Sequence, residues 1–327
     1  MTPLKTWIHA IGAAVLTLAS ATGALAADPF PSKPIRVVVP TAAGGLGDVY
    51  TRLVARKMSE RLGQQLIIDN RPGGDTLIGT RLVKEAPADG YTLLFQASGI
   101  SIFPHIKENP GYELATKDFT PLGPFSRAPL MLMVGGGQPD KTLADFVTRI
   151  KANPGKFSFA HGGIGTPPHI GAVMFLQRAG LQMQDIAYKG NAAAVPDVVG
   201  GRAEMIFDAY GTASGMIKEG RLRSLGVSSS SRLASAPDIP TLAEQGFPGF
   251  SYYFWSGLLA PAGVPKEVLD KLSDALRYAV TSEEITQRFR NDGNEAFWLS
   301  PAQFSEYLGK EHAEMGRLAR ELKLPKQ

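Results

Sequence analysis

The sequence predicts an α/β protein built from two domains. Short apolar strand patterns alternate with helical patterns along the chain, and the order strand, Gly-rich loop, helix opens both halves. Length supports the same reading, because the chain has 327 residues and single hydrophobic cores stop growing at roughly 250–300 residues. We therefore expect two α/β units, each with a mostly parallel sheet.

The first half opens with a strand, a Gly-rich loop and a helix. Ile35–Val39 (IRVVV) is an uninterrupted β-branched run, typical of a strand covered on both faces. The loop 40–48 follows it, and a helical pattern runs over 49–62. Further along, strands are predicted at 65–69 and 91–96, with a helix at Leu77–Lys84 between them.

The second half repeats this order and is followed by helices. Its predicted strands are 157–160, 184–188 and 203–208, its Gly-rich loop is 161–168, and its predicted helices are 169–179 and 193–199. Two apolar stretches, 129–134 and 252–259, are candidates for segments that cross between the domains. An amphipathic helix is predicted at 265–279, and Ser300 with Gln303 forms a capping-box start for a last helix.

The first 26 residues are predicted to be a secretion signal. Lys5 supplies the charged start, 11–21 is a short apolar stretch, and Ala24-Leu25-Ala26 is a small-x-small cleavage pattern. The mature chain would then begin at Ala27, exported to a bacterial periplasm. An uncleaved N-terminal anchor is the alternative, although Thr, Ser and Gly dilute the apolar stretch.

Composition and motifs exclude several function classes. The formal net charge of +4 and the absence of a Lys/Arg stripe argue against a nucleic-acid binder. Zero cysteines exclude disulfides, thiolate metal sites and a cysteine nucleophile. The segment 135–142 (GGGQPDKT) resembles a phosphate-binding loop, but Asp140 stands where a glycine is required. His161 and His169 are eight apart, which is not a metal-binding helix spacing, so neither a metal nor a cofactor is predicted.

The two Gly-rich loops are the candidate binding elements. Loops at the carboxyl ends of parallel strands carry ligands in open α/β sheets, and a helix N-terminus there favours a carboxylate or phosphate. Paired loops at 41–48 and 161–168 could hold a dicarboxylate from both sides. The alternative is that these glycines only make tight turns. Asp48 and Asp208 could form an acid–base pair, or cap helices and order loops.

Several stretches match a known family in order and spacing. The chain resembles the Bug-type periplasmic substrate-binding proteins (TctC-like) of tripartite tricarboxylate transporters over nearly its whole mature length. The matching stretches are 34–40 (PIRVVVP) with Ala43-Gly44-Gly45 and Asp48, 70–73 (NRPG), 89–94 (DGYTLL), 163–166 (GIGT) with His169, 188–190 (YKG), Phe207-Asp208, Pro240-Thr241, Gly249-Phe250, Trp255 and 259–263 (LAPAG).

The resemblance implies a type II periplasmic-binding fold, in which two α/β lobes joined by crossing strands enclose a ligand cleft. It places lobe 1 at 27–127 plus 256–327 and lobe 2 at 128–255. Carried over by position, the ligand-binding residues are Thr41, Ala43, Gly44, Gly45, Asp48, Ser98 and Gly99 in lobe 1, and Gly163, Gly165, Thr166, His169, Tyr188, Lys189, Gly190 and Asp208 in lobe 2.

The implied function is a non-enzymatic receptor for a small carboxylate that delivers it, as a monomer, to the membrane permease of a tripartite transporter. Departures from the family pattern concern the ligand. Thr41 replaces a common aromatic residue, Phe103 a polar one, and Pro167 and Pro168 replace serines, which removes two N–H donors. These changes suggest a ligand other than citrate, such as an aromatic or otherwise hydrophobic carboxylate, beside the dicarboxylate that the paired loops suggest. The alternatives are a sensory subunit, or a periplasmic enzyme using Asp48, Asp208 or His169.

Overall fold

The computed structural model describes residues 30–322, 324 and 326, so the predicted leader and its cleavage site lie outside the described residues. Lys33–Gln327 form one compact unit, and it contains two β-sheets. Within residues 30–322, no helix combines the length and apolar character needed to cross a membrane.

Strands and helices alternate over most of the described chain. The strands are β1 (Ile35–Val39), β2 (Leu66–Asn70), β3 (Thr92–Ala97), β4 (Phe119–Pro129), β5 (Met131–Gly135), β6 (Ser158–His161), β7 (Gln184–Ala187), β8 (Met205–Asp208), β9 (Leu222–Val227), β10 (Tyr253–Pro261) and β11 (Glu295–Ala296). The helices are α1 (Leu46–Leu62), α2 (Leu77–Lys84), α3 (Phe103–Ile106), α4 (Ala115–Asp118), α5 (Leu143–Lys151), α6 (Pro167–Ala179), α7 (Asn191–Val199), α8 (Tyr210–Lys218), α9 (Lys266–Val280), α10 (Glu283–Asn291) and α11 (Pro301–Glu321).

The first sheet has the strand order β11-β4-β10-β3-β1-β2. β1 pairs in parallel with β2 and with β3, whereas β10 runs antiparallel to β3 and β4. Because β1, β2 and β3 run in one direction, the loops that follow them meet at one edge of the sheet, which we call edge 1.

The second sheet has the strand order β7-β6-β8-β5-β9. β6 pairs in parallel with β7 and β8, and β5 runs antiparallel to β8 and β9. The loops after β6, β7 and β8 therefore share an edge of this sheet, which we call edge 2. Both sheets are mixed rather than wholly parallel, since each is completed by strands next to the crossing segments.

The chain crosses between the sheets twice, as predicted, and Ser228 ties the two crossings together. The N–H of Ser228 donates to Leu130 O at 2.8 Å, and its hydroxyl donates to Tyr252 O at 2.6 Å. In return, Leu130 N donates to Ser228 Oγ at 2.9 Å and Tyr252 N to Ser228 O at 2.8 Å. Ser228 is fully buried, so one side chain links β4–β5, β9 and β10 where they meet.

The predicted elements match the fold closely, but several elements were not predicted, among them β9, α8 and α10. The predictions for β1 and α2 are correct at both ends, and the Ser300–Gln303 capping box begins α11. The 11-residue strand β4 was not predicted. It contains Pro121, Pro124 and Pro129, residues that lack a ladder N–H and argue against a central strand. Register shifts in its pairing with β10 accommodate this sequence.

Candidate functional site

Loop 40–45 forms the exposed part of edge 1, and Asp48 anchors it. Residues 42–45 are exposed, whereas Asp48 is 2% exposed. Its Oδ2 accepts from Gly44 N at 2.9 Å and from Arg52 Nε at 3.0 Å. The carboxylate therefore orders the loop from beneath rather than standing free at the surface.

Asn70, at the end of β2, completes this anchor. Its Nδ2 donates to Asp48 Oδ1 at 3.0 Å and to Thr41 O at 3.1 Å. Burial raises the pKa of Asp48, but hydrogen bonds from Arg52, Gly44 and Asn70 outweigh it and lower that pKa below its usual value. Asp48 is thus ionised at neutral pH, which argues against a role as a general acid.

The second component of edge 1 is the short 3-10 helix Ser98–Ser101 after β3. Ser98 and Tyr252 line the same small cavity, so this edge lies beside a crossing segment. Ser101 donates to Glu311, whose carboxylate also accepts from Trp255 Nε1 at 2.8 Å. Burial is the main cause that raises the pKa of Glu311, to about 7.

At edge 2, the Gly-rich loop after β6 is held from inside by two histidine rings. Gly163 N donates to His161 Nδ1 at 3.2 Å, and Gly165 N donates to His169 Nδ1 at 3.3 Å. The Thr166 hydroxyl donates to Gly163 O at 2.7 Å and makes no hydrogen bond as a helix cap. Four of the predicted binding residues thus take part in hydrogen bonds that order the loop: Gly163, Gly165, Thr166 and His169.

The turn after β7 and the end of β8 form the rest of edge 2. Gly190 N donates to Gly162 O at 3.2 Å, and Asn191 Nδ2 donates to Phe207 O at 2.9 Å. Asp208 is 8% exposed, its Oδ1 accepts from Ala209 N at 2.8 Å, and burial raises its pKa. These contacts place the turn 188–190 beside Asp208.

The two edges meet at Gly99 and Gly165. A Cβ built at Gly99 would lie 3.8 Å from Gly165 O, and one at Gly165 would lie 2.5 Å from Ile106 Cδ1. Gly165 also has φ +81°, so the position requires glycine on both grounds. Residues of both edges line one small cavity between the sheets: Ser98, Gly99, Ile102, Gly165, Pro167, Ile170, Tyr252, Glu311 and Met315.

The ring of Phe103 packs beside the contact between Gly99 and Gly165 and makes one side of it apolar. Its ring would lie 3.3 Å from a Cβ at Gly99 and 3.1 Å from one at Gly165, and the residue is 4% exposed. Phe103 shares a hydrophobic cluster with Ile170 of α6, so the two lobes share apolar contacts here. Pro167 and Pro168 occupy the first two positions of α6, where they leave no N–H to offer.

The predicted site residues lie at the two edges, but some of their side chains are already hydrogen-bonded within the protein and others are not. Thr41 Oγ1 is buried and has no hydrogen-bond partner among the described residues. Lys189 is exposed, and in the described part of the chain no carboxylate lies within ion-pair distance of it. The Tyr188 hydroxyl, in contrast, donates to Asp197 Oδ2 at 2.6 Å. Which of these residues contact ligand stays a prediction.

Sequence reasoning missed four polar residues that the fold brings to the edges: Asn70, Asn191, His161 and Glu311. Asn70 and Asn191 directly follow predicted strands or turns, a position that could have signalled them. Like Thr41 Oγ1, Asn191 Oδ1 is buried and accepts no hydrogen bond from the part of the chain that the structure describes. Glu311 lies in the middle of an amphipathic helix as the one polar residue in the apolar period of Phe304, Leu308, Met315 and Leu318, a position that could have signalled its burial.

His161 and His169 are adjacent in space, although they are eight apart in sequence. Their ring centroids are 4.4 Å apart, and with Asp185 they place three potential ligand atoms within 4.8 Å of one another. Each Nδ1 accepts an amide N–H, so a neutral ring carries its proton on Nε2 and has no lone pair there for a cation. The cluster therefore fits a hydrogen-bonded group better than metal ligands.

Comparison with known proteins gives a consistent result. The sequence profile of the family described as "Tripartite tricarboxylate transporter family receptor" matches residues 50–324. The chain is 33% identical over 314 residues to the UPF0065 protein of the tcbD-tcbE intergenic region of Pseudomonas sp. strain P51, covering 96% of this chain and 93% of that one.

Two solved structures are similar over almost their whole length. The periplasmic binding protein BugD is 31% identical, with a TM-score of 0.82 and coverage of 91% of this chain and 100% of that one. Rpa4515 of R. palustris, solved with adipate, is 28% identical, with a TM-score of 0.84 and coverage of 90% and 99%. These similarities confirm the predicted two-lobed periplasmic-binding fold.

Proposed function

This chain belongs to the tripartite tricarboxylate transporter family of receptors, and we propose that it captures a small carboxylate, aromatic or dicarboxylic, between its two lobes. The observation that carries the proposal is the contact of the two loop-bearing edges at Gly99 and Gly165. A ligand held there touches both lobes at once, so it stabilises the conformation in which the edges meet.

The groups at the edges support a carboxylate ligand. Lys189 supplies an exposed cation, the Thr41 hydroxyl has no hydrogen-bond partner among the described residues, and the Asn191 amide has a second N–H besides the one that donates to Phe207 O. The similar structure with adipate supports a dicarboxylate ligand, whose two carboxylates would each bind to one of the two edges. The apolar wall of Phe103 and Pro167 supports a ligand with a hydrocarbon centre.

The family also supports the rest of the transport role. We propose that lobe 1 comprises 27–127 plus 256–327 and lobe 2 comprises 128–255, since the crossings tied by Ser228 lie near these limits. We further propose that the chain is exported to the periplasm after cleavage near Ala26 and delivers its ligand to the permease of a tripartite transporter. The described edges contain no activated nucleophile, which supports binding without catalysis.

The proposal is tested by native mass spectrometry of the purified mature protein, followed by thermal shift against mono-, di-, tricarboxylic and aromatic acids. We expect one class, with adipate as the first probe, to raise the midpoint by several degrees, because a ligand at 100 times its Kd adds about 2.7 kcal/mol. No shift with any acid would contradict the proposal.

A site variant makes the same test specific. We expect Asn191→Ala to weaken binding of the identified acid by about 1–3 kcal/mol, because its buried carboxamide lies beside Asp208 at edge 2. Asn109→Ala, at an exposed position outside both edges, is the matched control. Equal dissociation constants for the two variants would place the ligand elsewhere.

A further inference from the structure

The histidine pair beneath the Gly-rich loop has no role in the function proposed so far. His161 is fully buried and His169 is 3% exposed, and their rings also stack beside Phe159, at 5.6 and 6.2 Å between centroids. The polar atoms that face the loop are the two Nδ1 atoms, which accept the N–H groups of Gly163 and Gly165. The histidines thus touch the loop through its backbone.

Few charged groups face this pair. Asp185 of β7 has its Oδ2 3.6 Å from His161 Nε2, and its side chain is 53% exposed. Glu321 of α11 lines the cavity that also borders His169 and Asp185. His161 Nε2 is buried and makes no hydrogen bond within the described residues, so the carboxylate of Asp185 is not close enough to hold a proton on that ring firmly.

We propose that His161 and His169 are positioning residues of the carboxylate site: as neutral rings protonated on Nε2, they hold the amides of Gly163 and Gly165, and protonation of either ring releases the loop. This inference rests on the proposed function and adds a regulation to it. A protonated imidazole carries hydrogen on both nitrogens, so its Nδ1 can no longer accept an amide.

The release would alter the site itself, because Gly165 contacts edge 1. With Nδ1 of His169 protonated, the Gly165 N–H must turn away, and the contacts of Gly165 with Phe103 and Gly99 must change with it. Burial and then the neighbouring His161 lower the pKa of His169 to about 4, and burial lowers the pKa of His161. The loop therefore stays held at neutral pH and is released in acid.

The first test is independent of any ligand. The full mature chain, labelled with ¹⁵N in histidine, is examined by long-range ¹H–¹⁵N correlation spectra between pH 7.5 and 4.5, with His105 and His312 as internal references. We expect His161 and His169 to be Nε2–H tautomers at pH 7.5, and to take up a second proton only below pH 6.5, since the pKa of each ring is lowered. An Nδ1–H tautomer or a protonated ring at pH 7.5 would overturn the proposal.

The second test separates positioning from packing. In His161→Asn, the amide oxygen can replace Nδ1 as the acceptor but does not titrate, whereas His161→Leu removes the acceptor and keeps apolar volume. We expect hydrogen exchange at Gly163 to be at least tenfold faster in H161L and near wild type in H161N. Asn109→Ala, at an exposed position outside both edges, is the control. Equal exchange in H161L and H161N would overturn the proposal.

Titration with adipate by calorimetry links this pair to binding. We expect H161L to raise the dissociation constant for adipate at least tenfold at pH 7.5, whereas H161N should bind adipate like wild type. At pH 4.5, H161N should lose less affinity for adipate than wild type does. If adipate does not bind, the proposed ligand class fails, and the tautomer and exchange results still decide the role of the histidines. If adipate binds and all three proteins share one pH profile, the regulation is refuted.

Discussion

Single polar side chains at the two edges act first on the backbone of the loops. Asp48 holds Gly44 N, the histidines hold Gly163 N and Gly165 N, and Thr166 holds Gly163 O. A loop whose conformation is fixed before binding loses less conformational entropy when a ligand arrives. Residues that resemble ligand contacts in sequence can therefore act by shaping the loop.

Thr166 offers a direct test at this scale. We expect Thr166→Ala to weaken adipate binding by about 0.5–1.5 kcal/mol, because the hydroxyl no longer fixes Gly163 O. Thr166→Ser keeps the hydroxyl and should restore the wild-type dissociation constant in calorimetry. An unchanged constant for the alanine variant would exclude this residue from the site.

Glu311 predicts a pH dependence of stability. Its folded pKa of about 7 exceeds the ordinary 4.5, so between these values the native state binds more protons than the unfolded state, and the free energy of unfolding falls as pH rises. The full effect is on the order of 2–3 kcal/mol. Glu311→Gln does not titrate, so we expect its stability relative to wild type to rise from pH 4.5 to 7.5 in urea unfolding.

The exposed Glu267 provides the control for this measurement, since Glu267→Gln removes a surface carboxylate on a different helix, α9. Parallel pH profiles for wild type and Glu311→Gln would show that Glu311 titrates normally. His169, whose pKa is lowered, acts with the opposite sign between about pH 4 and 6.5. The titration of Glu311 is therefore read from the difference in the free energy of unfolding between Glu311→Gln and wild type at each pH, rather than from the wild-type pH profile alone.

At the scale of elements, the crossing segments depend on Ser228. We expect Ser228→Ala to lower the free energy of unfolding by about 1–3 kcal/mol, because it leaves the buried N–H of Leu130 without an acceptor. Ser230→Ala changes an exposed neighbour and is the control in denaturant unfolding. Equal stability of both variants would show that the crossings do not need this link.

Elements with strong local patterns were predictable. β-branched runs gave β1, and 3.6-residue periodicity with a capping box gave α11. β4 was not predictable, because its prolines suit a strand only where the partner strands absorb register shifts. Parallel pairing then predicted which loops share an edge, but the sequence did not place Asn191 beside Asp208 or His161 beside His169. Those contacts depend on packing between distant segments.

At the scale of the whole molecule, two mixed sheets carry two loop-bearing edges that meet at Gly99 and Gly165. Apolar contacts around Phe103 and Ile170 bring the lobes together, and the polar groups of both edges surround the contact. A small acid that reaches both edges can add its binding energy to this closed arrangement. The family places such a receptor in carboxylate transport.

The most direct test is a crystal structure of the mature protein grown with adipate, or with the acid that native mass spectrometry identifies. We expect the acid to lie between the edges. One carboxylate oxygen should be within hydrogen-bond distance of loop 40–45 or Ser98, and another within hydrogen-bond distance of residues 162–166 or Asn191. An acid bound to one lobe alone, or in the cavity lined by Ser229, Ser235 and Arg290, would contradict it.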